Sequence, residues 1–246
     1  MHIVISNYSR KSLALIQWAT ERGLQEVTVC YVDTGLAPEG WLEFVAEAEE
    51  FCCGKGLRVE RLTSRVTFAD LMDIKRGFPS QKHQWCSLHL KGITLLQWLD
   101  EIDAGCEATL LVAKRNRESS FEREIPEFIE ESEYHGGRRV WHPLFDTEDA
   151  ELERLFRATG LTLPEYSSEC APCINSSAAE LCRLSEADIR RIEELEEELG
   201  VPMFGPPGIE GGSGIRAVIR QARERDPDDE RRPFRYGCSA EFGCGS

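Results

Sequence analysis

The first 113 residues alternate between short apolar runs and amphipathic stretches, and that alternation leaves few folds open. Residues 2–6 are an apolar run of strand length. Residues 11–22 carry Leu13, Leu15, Ile16 and Trp18 as the contacts of a helix, and Val27 to Val32 is a second strand-length run. Residues 39–54 read as an acidic amphipathic helix, Leu57 to Leu62 alternates as a third strand, and a helix over roughly 88–103 precedes a strand at Thr109 to Ala113. Parallel strands are covered by helices on both faces, so they read as near-continuous apolar runs separated by helical segments. The pattern predicts an α/β fold built on a doubly wound parallel sheet.

Sheets of this kind bind ligands at the carboxyl ends of their strands. The segments that matter are therefore Ser6–Ser12, Asp33–Pro38 and Lys114–Arg123, which follow the first, second and fourth strands.

Past residue 140 the pattern changes. Val140-Trp141-His142-Pro143-Leu144 is a short apolar segment, and Asp146-Thr147-Glu148-Asp149 has the acidic first turn of a helix. Ser185 opens a highly charged helix that ends near Gly200, with Ile189, Ile192, Leu195 and Leu199 as its apolar stripe. A Gly/Pro-rich loop at 205–214, a short helix at 215–225 and a charged linker at 226–235 lead to the last two cysteines. The expected division is an α/β domain over residues 1–165 and a smaller, cysteine-bearing helical region with a mobile tail over residues 166–246.

Net charge is −15, which argues against general adhesion to nucleic acid or to a membrane surface. No apolar run approaches the roughly 20 residues needed to span a bilayer, and Met1 to Ser6 lacks the basic and apolar regions of a secretory signal. A cytoplasmic location is expected. In that compartment ten cysteines point to metal or redox chemistry rather than to disulfides. Cys30, Cys52, Cys53 and Cys106 lie in or beside predicted strands and helices and are expected to pack as small hydrophobes. Cys86, Cys170, Cys173, Cys182, Cys238 and Cys244 remain for chemistry.

Tyr31-Val32-Asp33-Thr34-Gly35 runs from a strand into a turn, where the carboxylate of Asp33 can hold a ribose hydroxyl or a metal and Gly35 admits close backbone approach. Lys114, Arg115, Arg117 and Arg123 follow a later strand, and guanidinium groups grip phosphate or sulfate with a forked geometry. Cys170-Ala171-Pro172-Cys173 is a C-x2-C knuckle followed by Cys182; soft thiolates at that spacing suit zinc or an iron–sulfur centre.

In their order these pieces resemble the phosphoadenosine-phosphosulfate reductase family, within the adenine-nucleotide alpha-hydrolase superfamily. The Tyr31–Gly35 run is similar to the family's strand-two motif, and Arg115 to Arg123 to its arginine signature after strand four. Trp85-Cys86-Ser87-Leu88-His89-Leu90-Lys91 resembles its cysteine-then-lysine helix start, and Val140 to Asp146 the segment ahead of its second cysteine motif. The resemblance covers about residues 2–182. It implies an adenine nucleotide, ATP or phosphoadenosine phosphosulfate, held by Ser9, Arg10, Lys11, Ser12, Asp33, Thr34, Gly35, Arg115, Arg117 and Arg123. The four cysteines Cys86, Cys170, Cys173 and Cys182 are similar in pattern to the iron–sulfur sulfur-transfer enzyme of DNA phosphorothioation, which implies a 4Fe–4S cluster on them. Reductases of the family carry a nucleophilic cysteine near the C-terminus; Cys244 in Glu241-Phe242-Gly243-Cys244-Gly245 resembles it, with Cys238 as a resolving thiol and Lys91 as a cation at the site.

One motif departs from the family. Its first loop reads Ser-Gly-Gly-Lys-Asp-Ser, whereas Asn7-Tyr8-Ser9-Arg10-Lys11-Ser12 stands here, without either glycine or the aspartate. Three readings follow: a sulfonucleotide reductase recycled by a thioredoxin-type reductant; a nucleotide-dependent sulfurtransferase, fed by a cysteine desulfurase, acting on a nucleic acid or a small acceptor; and a nucleotide or redox sensor without catalysis. Each is compatible with a homodimer.

Overall fold

The structure is a computed structural model and describes residues 1–80, 83–115, 126–166, 169–204 and 213–224. Strand β1 (His2–Ser6) leads through α1 (Arg10–Glu21) to β2 (Val27–Asp33), and α2 (Trp41–Gly54) leads to β3 (Arg58–Thr63). After α3 (Phe68–Lys75) a π-helical turn, Ser87–Gly92, runs directly into α4 (Ile93–Ile102), which returns the chain to β4 (Thr109–Val112). Strands β5 (Phe128–Ser132) and β6 (Arg138–Trp141) complete a six-stranded sheet of order β3-β2-β1-β4-β6-β5. All neighbours are parallel except β5, which runs antiparallel to β6 at the edge.

Alternation along the buried strands separates two apolar layers. Val4, Val29 and Tyr31 face α1, α2 and the later helix α5 (Asp149–Ala158), whose Leu152, Leu155 and Phe156 enter the same cluster. Ile3, Ile5, Cys30, Val32 and Leu110 face Leu95 and Leu99 of α4 on the other side. The mixed α/β architecture with helices on both faces follows from this two-sided burial. The remaining helices, α6 (Ala178–Leu181), α7 (Glu186–Leu199) and α8 (Ile215–Glu224), gather around a core of their own that includes Leu181, Ile189, Ile192, Phe204 and Ile219. Ser185 caps α7 by accepting from the Asp188 N–H, and Gly200 ends it at φ 66°, a left-handed conformation that glycine adopts without a Cβ clash.

The structure revises several expectations. The helix expected over 88–103 is α4 preceded by the π-helical turn. Helix α3 and strand β5 are additions. The apolar segment expected from Val140 starts earlier as β6, because fully buried Arg138 belongs to the strand and is neutralised in place. Its Nε and Nη2 donate to the Asp103 side chain and carbonyl at 2.8 and 2.7 Å. Cys30 and Cys52 are buried as expected, but Cys53 and Cys106 are exposed. No helix among the described residues is long and apolar enough to cross a membrane.

Candidate functional site

Strand β1 lies between β2 and β4, so the segments that leave all three begin side by side at one edge of the sheet. Between β1 and β4 the winding direction reverses: β2 and β3 lie to one side, β4 and β6 to the other. In doubly wound sheets such a reversal is where ligands bind, outside the strands' carboxyl ends.

The loop after β1 is closed by its own side chains. Asn7 Oδ1 accepts from the Ser9 N–H and from the Ser12 hydroxyl, each at 3.1 Å. Ser6 Oγ accepts from the Tyr8 N–H at 3.0 Å and lies 3.2 Å from Ser12 Oγ. Tyr8 occupies a left-handed conformation, φ 52°, with its ring buried 5.5 Å from that of Tyr31. Burial pushes the Tyr8 phenol up, with Cys52 and Glu49 adding to the effect, so the hydroxyl stays neutral. Ser9 precedes α1 without making a side-chain cap. Arg10 points away from the loop: its Nη1 donates to Glu153 at 2.6 Å and its guanidinium lies 4.9 Å over the Phe156 ring. Lys11 is half-buried in the first turn of α1.

After β2, the Asp33 carboxylate accepts from the Gly35 N–H at 2.9 Å and Gly35 takes φ 74°. Thr34 is buried, and its hydroxyl lies 3.7 Å from Cys170 Sγ. This contact carries the C-x2-C segment to the turn after β2. The Ala171 N–H donates to Leu36 O at 2.9 Å, and Arg191 of α7 donates to the carbonyls of Leu36, Ala37 and Ala171.

Next to the same segment, Lys91 in the π-helical turn pairs with Glu169 at 2.7 and 2.9 Å, both side chains almost fully buried. Burial pushes the Tyr31 phenol up, the Glu169 and Asp33 carboxylates add to that, and Lys91 opposes it. Tyr31, Asp33, Lys91 and Glu169 therefore share one electrostatic neighbourhood.

After β4, Arg115 donates to Asp149 Oδ1 at 2.5 Å and to Thr147 O at 3.4 Å. Arg117, Arg123, Cys238 and Cys244 lie outside the described residues.

The structure thus brings Ser9, Ser12, Asp33, Thr34, Gly35 and Arg115 to adjacent strand ends, pairs Lys91 with Glu169 beside Cys170, and turns Arg10 aside. The cysteines expected to hold a 4Fe–4S cluster are distributed differently. Cys86 and Cys170 pack against the cluster of Leu36, Phe68 and Leu90, while Cys173 packs against the core of the C-terminal helices. The Cys173 sulfur accepts from the Asn175 N–H at 3.5 Å, and Cys182 follows α6. Among the described residues no three Cys, His, Asp or Glu side chains form a group that could hold a metal ion. These residues as placed do not fit a four-cysteine cluster.

Asn7, Glu153, Asp149, Glu169 and Arg191 were not singled out by the sequence. Glu169 had one signal, its place directly before Cys170, and Asn7 lies inside the loop that departs from the family pattern; Glu153, Asp149 and Arg191 act through partners remote in the chain.

No protein-family model matches the chain, and no curated protein matches it. Solved structures are similar to it, among them the following two. A phosphoadenylyl-sulfate reductase from Candida auris, solved with phosphate, is 11% identical, with 65% of this chain and 73% of that one covered and a TM-score of 0.45. An NH3-dependent NAD synthetase from Campylobacter jejuni, solved with a nitrate ion, is 16% identical, with 91% and 82% covered and a TM-score of 0.38.

Proposed function

We propose that the chain is an adenine-nucleotide-binding enzyme of the adenine-nucleotide alpha-hydrolase superfamily that reduces a sulfonucleotide. The observation that carries this reading is the placement of the Ser6–Ser12 loop, the Asp33–Gly35 turn and Arg115 on three adjacent strand ends at the reversal of the sheet. The turn after β2 offers the Asp33 carboxylate to a ribose hydroxyl, and Gly35 adds no side chain there. Arg115 offers a forked donor to the phosphosulfate; one of its partners, Asp149, is 81% exposed, so exchanging that carboxylate for a ligand anion carries a small electrostatic cost.

In this reading the Cys244 thiolate attacks the sulfur of the sulfonucleotide. The S–O bond to the 5′-phosphate breaks and the nucleoside phosphate leaves with the electron pair. Cys238 then attacks the Cys244 sulfur, sulfite departs, and the resulting disulfide is reduced by a thioredoxin-type dithiol. Lys91, neutralised by Glu169, steadies the segment that carries Cys170. No step runs through an iron–sulfur cluster, because the cysteines expected to hold one are not gathered.

The test is sulfite release from adenosine 5′-phosphosulfate and its 3′-phosphorylated form with a dithiol reductant. The reading expects release that disappears in Cys244→Ser and falls at least tenfold in kcat/KM in Arg115→Ala, about 1.4 kcal/mol of transition-state binding. Pyrophosphate release from ATP in its place would identify the sulfurtransferase. Nucleotide binding with neither product would identify a sensor, which the self-closed loop after β1 favours among the alternatives.

A further inference from the structure

We infer that Asn7 is a specificity-determining residue, whose side-chain carbonyl fills the loop after β1 and turns away the terminal phosphates of a triphosphate, leaving the site to nucleotides with a single 5′-phosphoryl group. The inference rests on the nucleotide-site reading above and deepens it by naming the substrate class.

A loop that wraps a pyrophosphate must present unspent N–H and hydroxyl donors toward the ligand. Here three of the donors at the mouth of the loop, the Tyr8 and Ser9 N–H groups and the Ser12 hydroxyl, are spent inside it. The Ser9 N–H points at Asn7 Oδ1, the Ser12 hydroxyl lies 3.1 Å from Asn7 Oδ1 and 3.2 Å from the Ser9 carbonyl, and the Tyr8 N–H points at Ser6 Oγ. Ser6, Asn7, Ser9 and Ser12 are each 5% exposed or less, so the network lies inside the protein. The amide oxygen of Asn7 stands where a phosphate oxygen would collect the same hydrogen bonds.

Two further features hold the loop shut. Tyr8 takes the left-handed conformation that glycine supplies freely, but its fully buried ring against Tyr31 anchors the turn. Arg10, the cation that the loop could have turned on a polyphosphate, is engaged by Glu153 and Phe156 on α5. The adjacent strand end keeps Arg115, one of whose partners is solvent-exposed and readily exchanged, and one guanidinium suits one phosphoryl group.

The experiment is calorimetric titration of the full-length protein with AMP, ATP and inorganic pyrophosphate, in the wild type, Asn7→Gly and Asn7→Asp. The wild type is expected to bind AMP at least about tenfold more tightly than ATP and to leave pyrophosphate unbound. Asn7→Gly removes the internal acceptor, and the ATP-to-AMP affinity ratio is expected to rise at least about tenfold, with pyrophosphate binding now detectable. Asn7→Asp accepts the same two hydrogen bonds and keeps the loop folded even where the glycine variant fails. Its ratio is expected to stay within about threefold of the wild type, because the outer phosphates do not reach the loop. A selective loss of ATP affinity in Asn7→Asp, or wild-type binding of ATP as tight as that of AMP, would overturn the inference alone. Binding of neither nucleotide by any of the three proteins would overturn the nucleotide-site reading and this inference with it.

Discussion

The Lys91 ammonium and the Glu169 carboxylate form a two-pronged ion pair, 2.7 and 2.9 Å, with side chains only 3% and 4% exposed. It joins the π-helical turn ahead of α4 to the residue before Cys170, across 78 positions of sequence. Removing two charges from water costs several kcal/mol per ion, and close contact repays it only while both partners remain.

Lys91→Met and Glu169→Gln are therefore each expected to destabilise the fold by about 3–5 kcal/mol, because each leaves the opposite charge buried without its counterion. The double variant Lys91→Met, Glu169→Gln is expected to lose less than the sum of the two single changes. Urea denaturation of the four proteins measures this, and single variants within about 0.5 kcal/mol of wild type would contradict it.

A second buried pair contributes to the acid limb of stability. Burial works to raise the Asp103 carboxyl, but the Arg138 hydrogen bond and the amides of Ala108 and Glu107 override it and hold it below its ordinary value. A lowered folded-state pKa contributes stability that is present above about pH 4 and drains away as the pH falls through the folded-state value. Arg138→Met is expected to cost about 3–5 kcal/mol at neutral pH and to flatten the stability profile below about pH 4. A variant whose acid limb retains the wild-type slope would show that the pair does not contribute to it.

Much of the α/β half was legible because burial on both faces leaves a periodic mark. Val27 to Asp33 is apolar almost throughout, since Val29 and Tyr31 enter one layer and Cys30 and Val32 the other. Strand β5 left no such mark: Phe128, Glu130 and Glu131 are exposed at the sheet edge, so no apolar run announces it. The π-helical turn is hidden for another reason, because Ser87–Gly92 has the composition of an ordinary helix start. At the site, the Asp33–Gly35 turn was readable as a local motif, whereas the fate of Arg10 was not. Its partner Glu153 stands 143 residues away, and no local spacing encodes that pairing. The cysteines show the same limit: C-x2-C spacing places Cys170 and Cys173 near each other, but only the packing of α3, the π-helical turn and α7 decides what Cys86 faces.

That packing yields a prediction for the metal content. With Cys86 and Cys170 in one apolar cluster and Cys173 against another core, the account expects anaerobically purified protein to carry less than about one iron per chain. It also expects Cys173→Ser to leave that value unchanged. Iron and acid-labile sulfide analysis reads both; about four of each per chain in the wild type, lost in the variant, would install a 4Fe–4S cluster on these residues.

The central claim is that an adenine nucleotide sits on the carboxyl ends of β2, β1 and β4. Photolabelling with 8-azido-AMP, with and without excess AMP, followed by peptide mapping, tests it most directly. The account predicts AMP-protected label on the segments Asn7–Ser12, Asp33–Ala37 or Lys114–Arg115. Protected label confined to another surface, such as the groove of Trp18, Arg22 and Arg154 between α1 and α5, or no protected label at all, would contradict it.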